Sequence, residues 1–371
     1  MTPPDPFAAE HTSQRRSRLR AVLDQRFDEQ VALVVSDPIN VRYLSGFHGS
    51  HGFVVLAPDG GCRLFTDSRY AEQARSIPQM AVEVGRHAWH DVVIAALADH
   101  DRVVFEGGHV TVAEHEVLLQ RMESADRSRC QSGHDLVQNV RQTKDDAEIA
   151  ALEQACGVAE AALDEVLARI AVGDSEHDIA ADLLATMRRL GAEGEAFAPI
   201  VAAGSNAAEP HHHPSARPVA RGELLKIDFG AVVAGYHSDI TRTFVVGAEP
   251  DSRQREIHSL VAEAQARGRA AVAGGVPIRS VDAAAREYLD RAGYGKAFSH
   301  GLGHGVGLQI HEAPLVSGAS AGTLESCMTI TVEPGLYLPD WGGVRIEDTV
   351  LVTVDGHRSL SQAPRDLLSI G

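Results

Sequence analysis

The sequence predicts an α+β protein of two domains, a smaller α/β domain followed by a larger one built on a repeated unit. Three observations carry this reading. From about residue 18 to 135, short apolar runs alternate with helical stretches. Near residue 137 that rhythm gives way to a long amphipathic stretch. Beyond it the chain runs the same course twice, which is the mark of a duplicated architecture. The expected division is 1–136 and 137–371, and 44% apolar content over 371 residues is ample for two cores.

In the first domain the runs VALVVSD, GFVVLAPDG, CRLFTD, AVEVG and RVVFEG read as short strands closed by Asp or Gly turns. In the second, LVQNVRQTKDDAEIAALEQACGVAEAALDEVLARI reads as one long helix with Ile149, Leu152, Leu163, Val166 and Ile170 on one face. A second helix, DIAADLLATMRRL, is stopped by Gly191, and EAFAPIVAAG then leads to His211. The second pass has SRQREIHSLVAEAQARGRAAVA, then VDAAAREYLDRA stopped by Gly293, then KAFSHGLGHG leading to His311.

Each pass ends in a β-hairpin that carries two acids. In KIDFGAVVAGYHSDITRTF, Asp228 and Asp239 lie symmetrically about the turn VVAG, so antiparallel pairing sets them opposite or nearly so. In TVEPGLYLPDWGGVRIEDTV, Glu333 and Glu347 flank the turn PDWGG in the same way. Two carboxylates at about 4 Å repel by roughly 4 kcal/mol at an effective dielectric near 20, so four converging acids need counter-charge. Two divalent cations would supply it. The glycines of SHGLGHGVG let the backbone bring His304 to the cluster as a neutral imidazole ligand. An oxygen-rich set with one imidazole favours Mn²⁺, with Co²⁺, Zn²⁺ or Fe²⁺ as other occupants. Beside such a pair, His300 and His311 are expected to contact substrate or transition state.

Several other functions are disfavoured. A net charge of −17 without a concentrated basic surface argues against nucleic acid. The first 30 residues lack an apolar leader core, and no run approaches the length of a membrane span, so a cytoplasmic protein is expected. Cys62, Cys130, Cys156 and Cys327 lie far apart and read as reduced thiols. GHGVG lacks both the GxGxxG spacing and the lysine of a phosphate loop, and no G-x-S-x-G elbow is present.

The motifs EPHHHP, KIDFGAVVAGYHSDITRTF, HGLGHGVGLQIHEAP, VEPGLYLP and GGVRIEDTV resemble the pita-bread metallopeptidases from about residue 138 to 365. NVRYLSGFHGSHG and FTDSRY resemble the creatinase-type N-terminal domain of aminopeptidase P and prolidase, which methionine aminopeptidases lack. The resemblance implies metal ligands at Asp228, Asp239, His304, Glu333 and Glu347, with Asp239 and Glu347 bridging two ions. It implies Glu333 as a proton shuttle and His211 and His311 as residues that orient substrate and stabilise the intermediate. His300 and Arg345 would line the pocket. Because the family's Pro-His stands here as PHHHP, the first of these roles goes to His211, which follows Pro210, and His212 and His213 are expected to be structural. Short proline-containing peptides are the implied substrates, and a homodimer with GFHGSHG near the partner's site is the implied assembly. The leading expectation is an Xaa-Pro aminopeptidase, with an Xaa-Pro dipeptidase as the alternative. Metal-free creatinase chemistry and a catalytically dead binding module both predict a broken ligand set, whereas all five ligand types are present.

Overall fold

The computed structural model describes residues 4–371; the first three residues of the expected N-terminal domain lie outside the described residues. The chain divides into compact units, Pro4–Arg141 and Gln142–Gly371. The boundary therefore falls at 141/142 rather than 136/137. The cause is the short helix Leu136–Gln142, whose Leu136, Val137 and Val140 are buried and whose Arg141 donates to Asn40 Oδ1 at 2.9 Å within the first unit.

The first unit is a six-stranded mixed sheet of β1 (Ala32–Val35), β2 (Gly52–Leu56), β3 (Cys62–Thr66), β4 (Ala81–Val84), β5 (Val103–Glu106) and β6 (Cys130–Gly133), in the order β4-β3-β2-β1-β5-β6. Only β2 runs against its neighbours, because it returns to β3 through a tight turn at Asp59–Gly61. The five expected strands are all present. The sixth, CQSG, has no apolar alternation and adds to an edge by main-chain pairing with β5.

The single long helix expected from residue 137 is two, Leu136–Gln142 closing the first unit and Asp146–Leu167 opening the second. The chain breaks at Thr143–Lys144 and restarts at Asp145, whose side chain accepts from Glu148 N while Glu148 caps Asp145 N. The helix pair Asp146–Leu167 and Glu176–Arg189 buries its apolar face on a sheet of β8 (Ile200–Ala203), β9 (Leu224–Phe229) and β12 (Ile240–Val246), with β20 (Ser369–Ile370) at the edge. Between β9 and β12 the hairpin continues as β10 (Ala231–Val233) and β11 (Tyr236–His237), with β7 (Gly194–Glu195) alongside.

The pair Ser252–Ala270 and Ile278–Arg291 covers the second sheet in the same manner. That sheet holds β13 (Gly303–Gly305), β14 (Glu312–Val316), β15 (Thr329–Val332), β18 (Asp348–Val352) and β19 (His357–Ser359), and β15 and β18 are extended by the hairpin β16 (Gly335–Leu338) and β17 (Gly342–Arg345). The orders β8-β9-β12 and β13-β15-β18 correspond, so the duplication read in the sequence is the architecture of the unit. The halves join where Thr241 of β12 pairs with Glu347 just before β18. Buried Arg242 crosses the same seam, donating to the Glu347 carbonyl at 2.5 Å and to Asp348 Oδ1 at 2.8 Å. Among the described residues no helix is long and apolar enough to cross a membrane.

Candidate metal centre

Strand register decides which side chains share the site. In β9 and β12, Asp228 pairs with Thr241, and the same register carried outward sets Asp239 opposite Gly230. The two aspartates are thus diagonal neighbours, two positions apart on one face, rather than directly opposite. Gly230 has no side chain for a physical reason: a Cβ there would lie 1.8 Å from the Ser238 carbonyl oxygen. In the second hairpin Val332 pairs with Asp348 and Gly335 with Arg345, and the shared register sets Glu333 opposite Glu347. The Thr241–Glu347 pairing then brings the two acid pairs into one cavity of about 560 Å³.

His304 reaches the same cavity from β13, between two glycines. A Cβ on Gly303 would sit 2.1 Å from the Thr331 carbonyl oxygen, and one on Gly305 would sit 2.3 Å from that of Ala313, so only glycine permits the strands to approach so closely. His304 Nδ1 donates to the Gly305 carbonyl at 3.0 Å, which leaves the lone pair on Nε2. That nitrogen lies 3.4 Å from Asp239 Oδ2 and 3.5 Å from Glu333 Oε1. Ligand atoms of Asp239, His304 and Glu347 lie within 4.8 Å of one another.

The donor set fits divalent cations. Asp228 Oδ1 and Glu347 Oε1 are buried with no hydrogen-bond partner, an expensive arrangement unless something positive meets them. Burial pushes the Asp239 and Glu347 carboxyls well above the usual range, and each is raised further by neighbouring acids. Burial also pushes Glu333 up to about 8, against the pull of Arg345. The His304 imidazole is driven down to about 4 by burial, so it is neutral at ordinary pH, as a ligand must be.

Arg345 is the buried counter-charge. Its Nη2 pairs with Asp228 Oδ2, its Nε donates to Thr241 Oγ1 at 3.1 Å, and its Nη1 donates to the Tyr337 hydroxyl at 2.7 Å and to the Pro210 carbonyl at 3.2 Å. Thr241 in turn donates to Glu347 Oε2 at 2.6 Å. His300 lines the cavity, but both of its nitrogens are engaged. Nδ1 donates to the Gly301 carbonyl at 2.7 Å, and Nε2 accepts from Tyr337 at 2.8 Å. Burial lowers the His300 imidazole to about 4 and raises the Tyr337 phenol to about 12, so the pair stays neutral. His211 and His311 are exposed at the cavity, and the His311 ring stands 4.4 Å from that of His304.

Three groups that sequence reading did not single out hold this arrangement. Tyr337 links His300 to Arg345. Lys226, buried two residues before Asp228, donates to the carbonyls of Ala207 at 3.1 Å and Glu209 at 2.7 Å, fixing the loop that bears His211. Glu176 binds His212 at 2.9 Å. A lysine placed mid-strand in an apolar run was a visible signal; the partners of Glu176 and Tyr337 are too distant in sequence to give one.

Known proteins place this geometry in a family. The metallopeptidase family M24 model matches residues 150–354, and the creatinase/prolidase N-terminal domain model matches residues 15–143. An Xaa-Pro dipeptidase of Pyrococcus furiosus is 35% identical over 96% of this chain and 99% of its own. Among solved structures, an Xaa-Pro dipeptidase from Bacillus anthracis superposes with a TM-score of 0.90 at 34% identity, covering 96% of this chain and 99% of that one. An X-Pro aminopeptidase from Thermotoga maritima superposes with a TM-score of 0.85 at 34% identity, over 95% and 99% of the respective chains. This chain belongs to metallopeptidase family M24, with a creatinase/prolidase-type N-terminal domain, and is a metallo-exopeptidase that works with divalent metal.

Proposed function

We propose that the protein is an Xaa-Pro dipeptidase, hydrolysing the bond between an N-terminal residue and a C-terminal proline. The observation that carries the hydrolytic part is the buried set of Asp228, Asp239, His304, Glu333 and Glu347, with carboxylate oxygens of Asp228 and Glu347 left without partners. Two divalent cations held by these five residues would polarise the scissile carbonyl and ease ionisation of the attacking water. The oxygen-rich donor set supports Mn²⁺ as the native ion.

The chain's own residues handle protons and orientation. Held ionised beside the cations, the Glu333 carboxylate would take the proton that the attacking water gives up and return it to the leaving prolyl nitrogen, which has no N–H of its own before cleavage. His211 and His311, exposed at the cavity, orient the substrate and stabilise the charge that develops on the carbonyl oxygen. His300 acts with Tyr337 as a neutral wall, since its ring nitrogens are already bonded. Arg345 holds Asp228 and the Pro210 carbonyl rather than substrate.

The choice of dipeptides over longer peptides is supported by the end-to-end similarity to proteins named Xaa-Pro dipeptidase. The aminopeptidase that the sequence motifs put first keeps one specific observation in its favour. Leu315 on the cavity wall is 65% exposed and adds apolar surface, which suits the continuing chain of a longer peptide better than a free carboxylate. The deciding experiment compares Ala-Pro, Ala-Pro-Phe and Ala-Ala-Phe with protein stripped of metal and resupplied with Mn²⁺. Cleavage of Ala-Pro alone is expected. Comparable turnover of Ala-Pro-Phe would establish the aminopeptidase, and activity that survives metal removal would overturn both readings. Cytoplasmic residence belongs to the same proposal and is supported by four unpaired cysteines. A homodimer rests on the family resemblance, and a native mass equal to one chain would remove it.

A further inference from the structure

The run Pro210–His213 puts three histidines at one cavity, yet the second is held differently from its neighbours. His211 and His213 are exposed there, whereas the His212 side chain is 12% exposed and its Nε2 meets Glu176 Oε2 at 2.9 Å. Glu176, in the first turn of the helix Glu176–Arg189, has a fully buried side chain and accepts from five donors. Its Oε1 takes Ala203 N at 2.8 Å and Asn206 Nδ2 at 2.9 Å; its Oε2 takes His212, Ser215 N at 3.0 Å and Ser215 Oγ at 2.7 Å. One carboxylate thus grips the chain both before and after the histidines.

We propose that Glu176 and His212 form a positioning pair that fixes where His211 stands in the active site. This rests on the proposed role of His211. The geometry supports it from both ends of the loop. Lys226 and Arg345 hold the carbonyls of Ala207, Glu209 and Pro210 from the metal side, so the chain just before His211 is already clamped. The Glu176–His212 bond clamps the residue just after it. With both neighbours fixed, the backbone at His211 has little freedom, and its ring enters the cavity at a set point. A displacement of about 1 Å in an orienting group can cost up to a hundredfold in rate, so a single missing anchor is measurable.

The test uses Mn²⁺-loaded full-length protein acting on Ala-Pro, with variants His212→Ala, His212→Gln, Glu176→Gln, His211→Ala and the double variant His211→Ala/His212→Ala. His212→Ala is expected to lower kcat by roughly ten- to a hundredfold while the protein keeps a single cooperative thermal transition, since Glu176 retains its bonds to Ala203, Asn206 and Ser215. His212→Gln, whose amide can reach Glu176 from nearly the position of Nε2, is expected to recover most of the loss. In the His211→Ala background, the His212 change is expected to have no further effect, because a residue that acts through His211 has nothing left to position. A full-sized additional loss in the double variant would show a general structural role and overturn the proposal, as would unaltered activity in His212→Ala. If His211→Ala itself retains wild-type activity, the assigned role of His211 fails first, and the positioning pair falls with it. Glu176→Gln keeps the acceptor at one oxygen only, and a kcat loss that matches His212→Ala would tie the effect to the same bond.

Discussion

The sharpest prediction concerns Glu333 in protein stripped of metal. Burial raises this carboxyl from its ordinary 4.5 to about 8, so the metal-free fold binds a proton there that the unfolded chain releases. Below pH 4.5 both states are protonated and the associated stability is fully present. As pH climbs from 4.5 to 8 the unfolded chain ionises while the folded site resists, and stability falls by about 1.4 kcal/mol per pH unit, on the order of 5 kcal/mol across the interval. Asp239 and Glu347, raised in the same direction, add to the slope. Glu333→Gln removes one titrating group, so its metal-free stability should decline with pH less steeply by about 1.4 kcal/mol per unit. Urea unfolding of chelator-treated protein between pH 5 and 8.5 measures this. A Trp89→Phe background leaves Trp341 as the single tryptophan, which reports on the catalytic unit. Metal-loaded wild type should show the opposite trend, because cation binding requires the deprotonated acids. Parallel profiles for metal-free wild type and Glu333→Gln would refute the reasoning, since the raised carboxyl would then not be titrating within the fold.

Three further outcomes are expected. Arg345→Lys keeps the charge but loses the fork that joins Asp228, Tyr337, Thr241 and Pro210, and kcat/KM for Ala-Pro should fall roughly ten- to a hundredfold with weaker Mn²⁺ retention in equilibrium dialysis. Asp348→Asn leaves the buried Arg242 guanidinium without its carboxylate at the seam of the two halves, and should cost about 3 to 5 kcal/mol in urea unfolding. Gly303→Ala forces a methyl against the Thr331 carbonyl and should cost about 1 to 3 kcal/mol in the same assay, while displacing His304 and lowering metal occupancy measured by atomic absorption.

What was legible in the sequence followed the two periodicities of secondary structure. Mirrored acids around a turn are readable because side chains alternate strictly along a strand; this located Glu333 opposite Glu347 and set Asp228 within one diagonal step of Asp239. The helix break at Thr143–Lys144 was also written in the chain, as the Asp145 and Glu148 of a capping box, but the apolar stripe running through it masked the stop. The strand at Cys130–Gly133 could not be read, because an edge strand held by main-chain bonds needs no apolar pattern. Nor could the Glu176–His212 and Tyr337–His300 bonds, which join residues with no periodic relation and appear only once the strands and helices have packed.

The placement of the acids explains why the centre sits at the seam. Each half supplies one pair of carboxylates, and the cavity that holds them is lined from both halves. The pairing of Thr241 with Glu347 closes the gap through main chain, with Glu347 N donating to the Thr241 carbonyl at 3.1 Å. Ligand spacing is therefore set chiefly by backbone register, which side-chain substitutions elsewhere disturb little. Arg242, bonded across the same seam to the carbonyls of Glu347, Ala363 and Pro364, gives that register a second point of attachment. With such a fixed seam a duplicated fold brings four acids to short range, and burial there raises the carboxyl pKa values of Asp239, Glu333 and Glu347. The strain those acids carry in the metal-free protein is what cation binding relieves, so affinity for metal and instability without it have one physical origin.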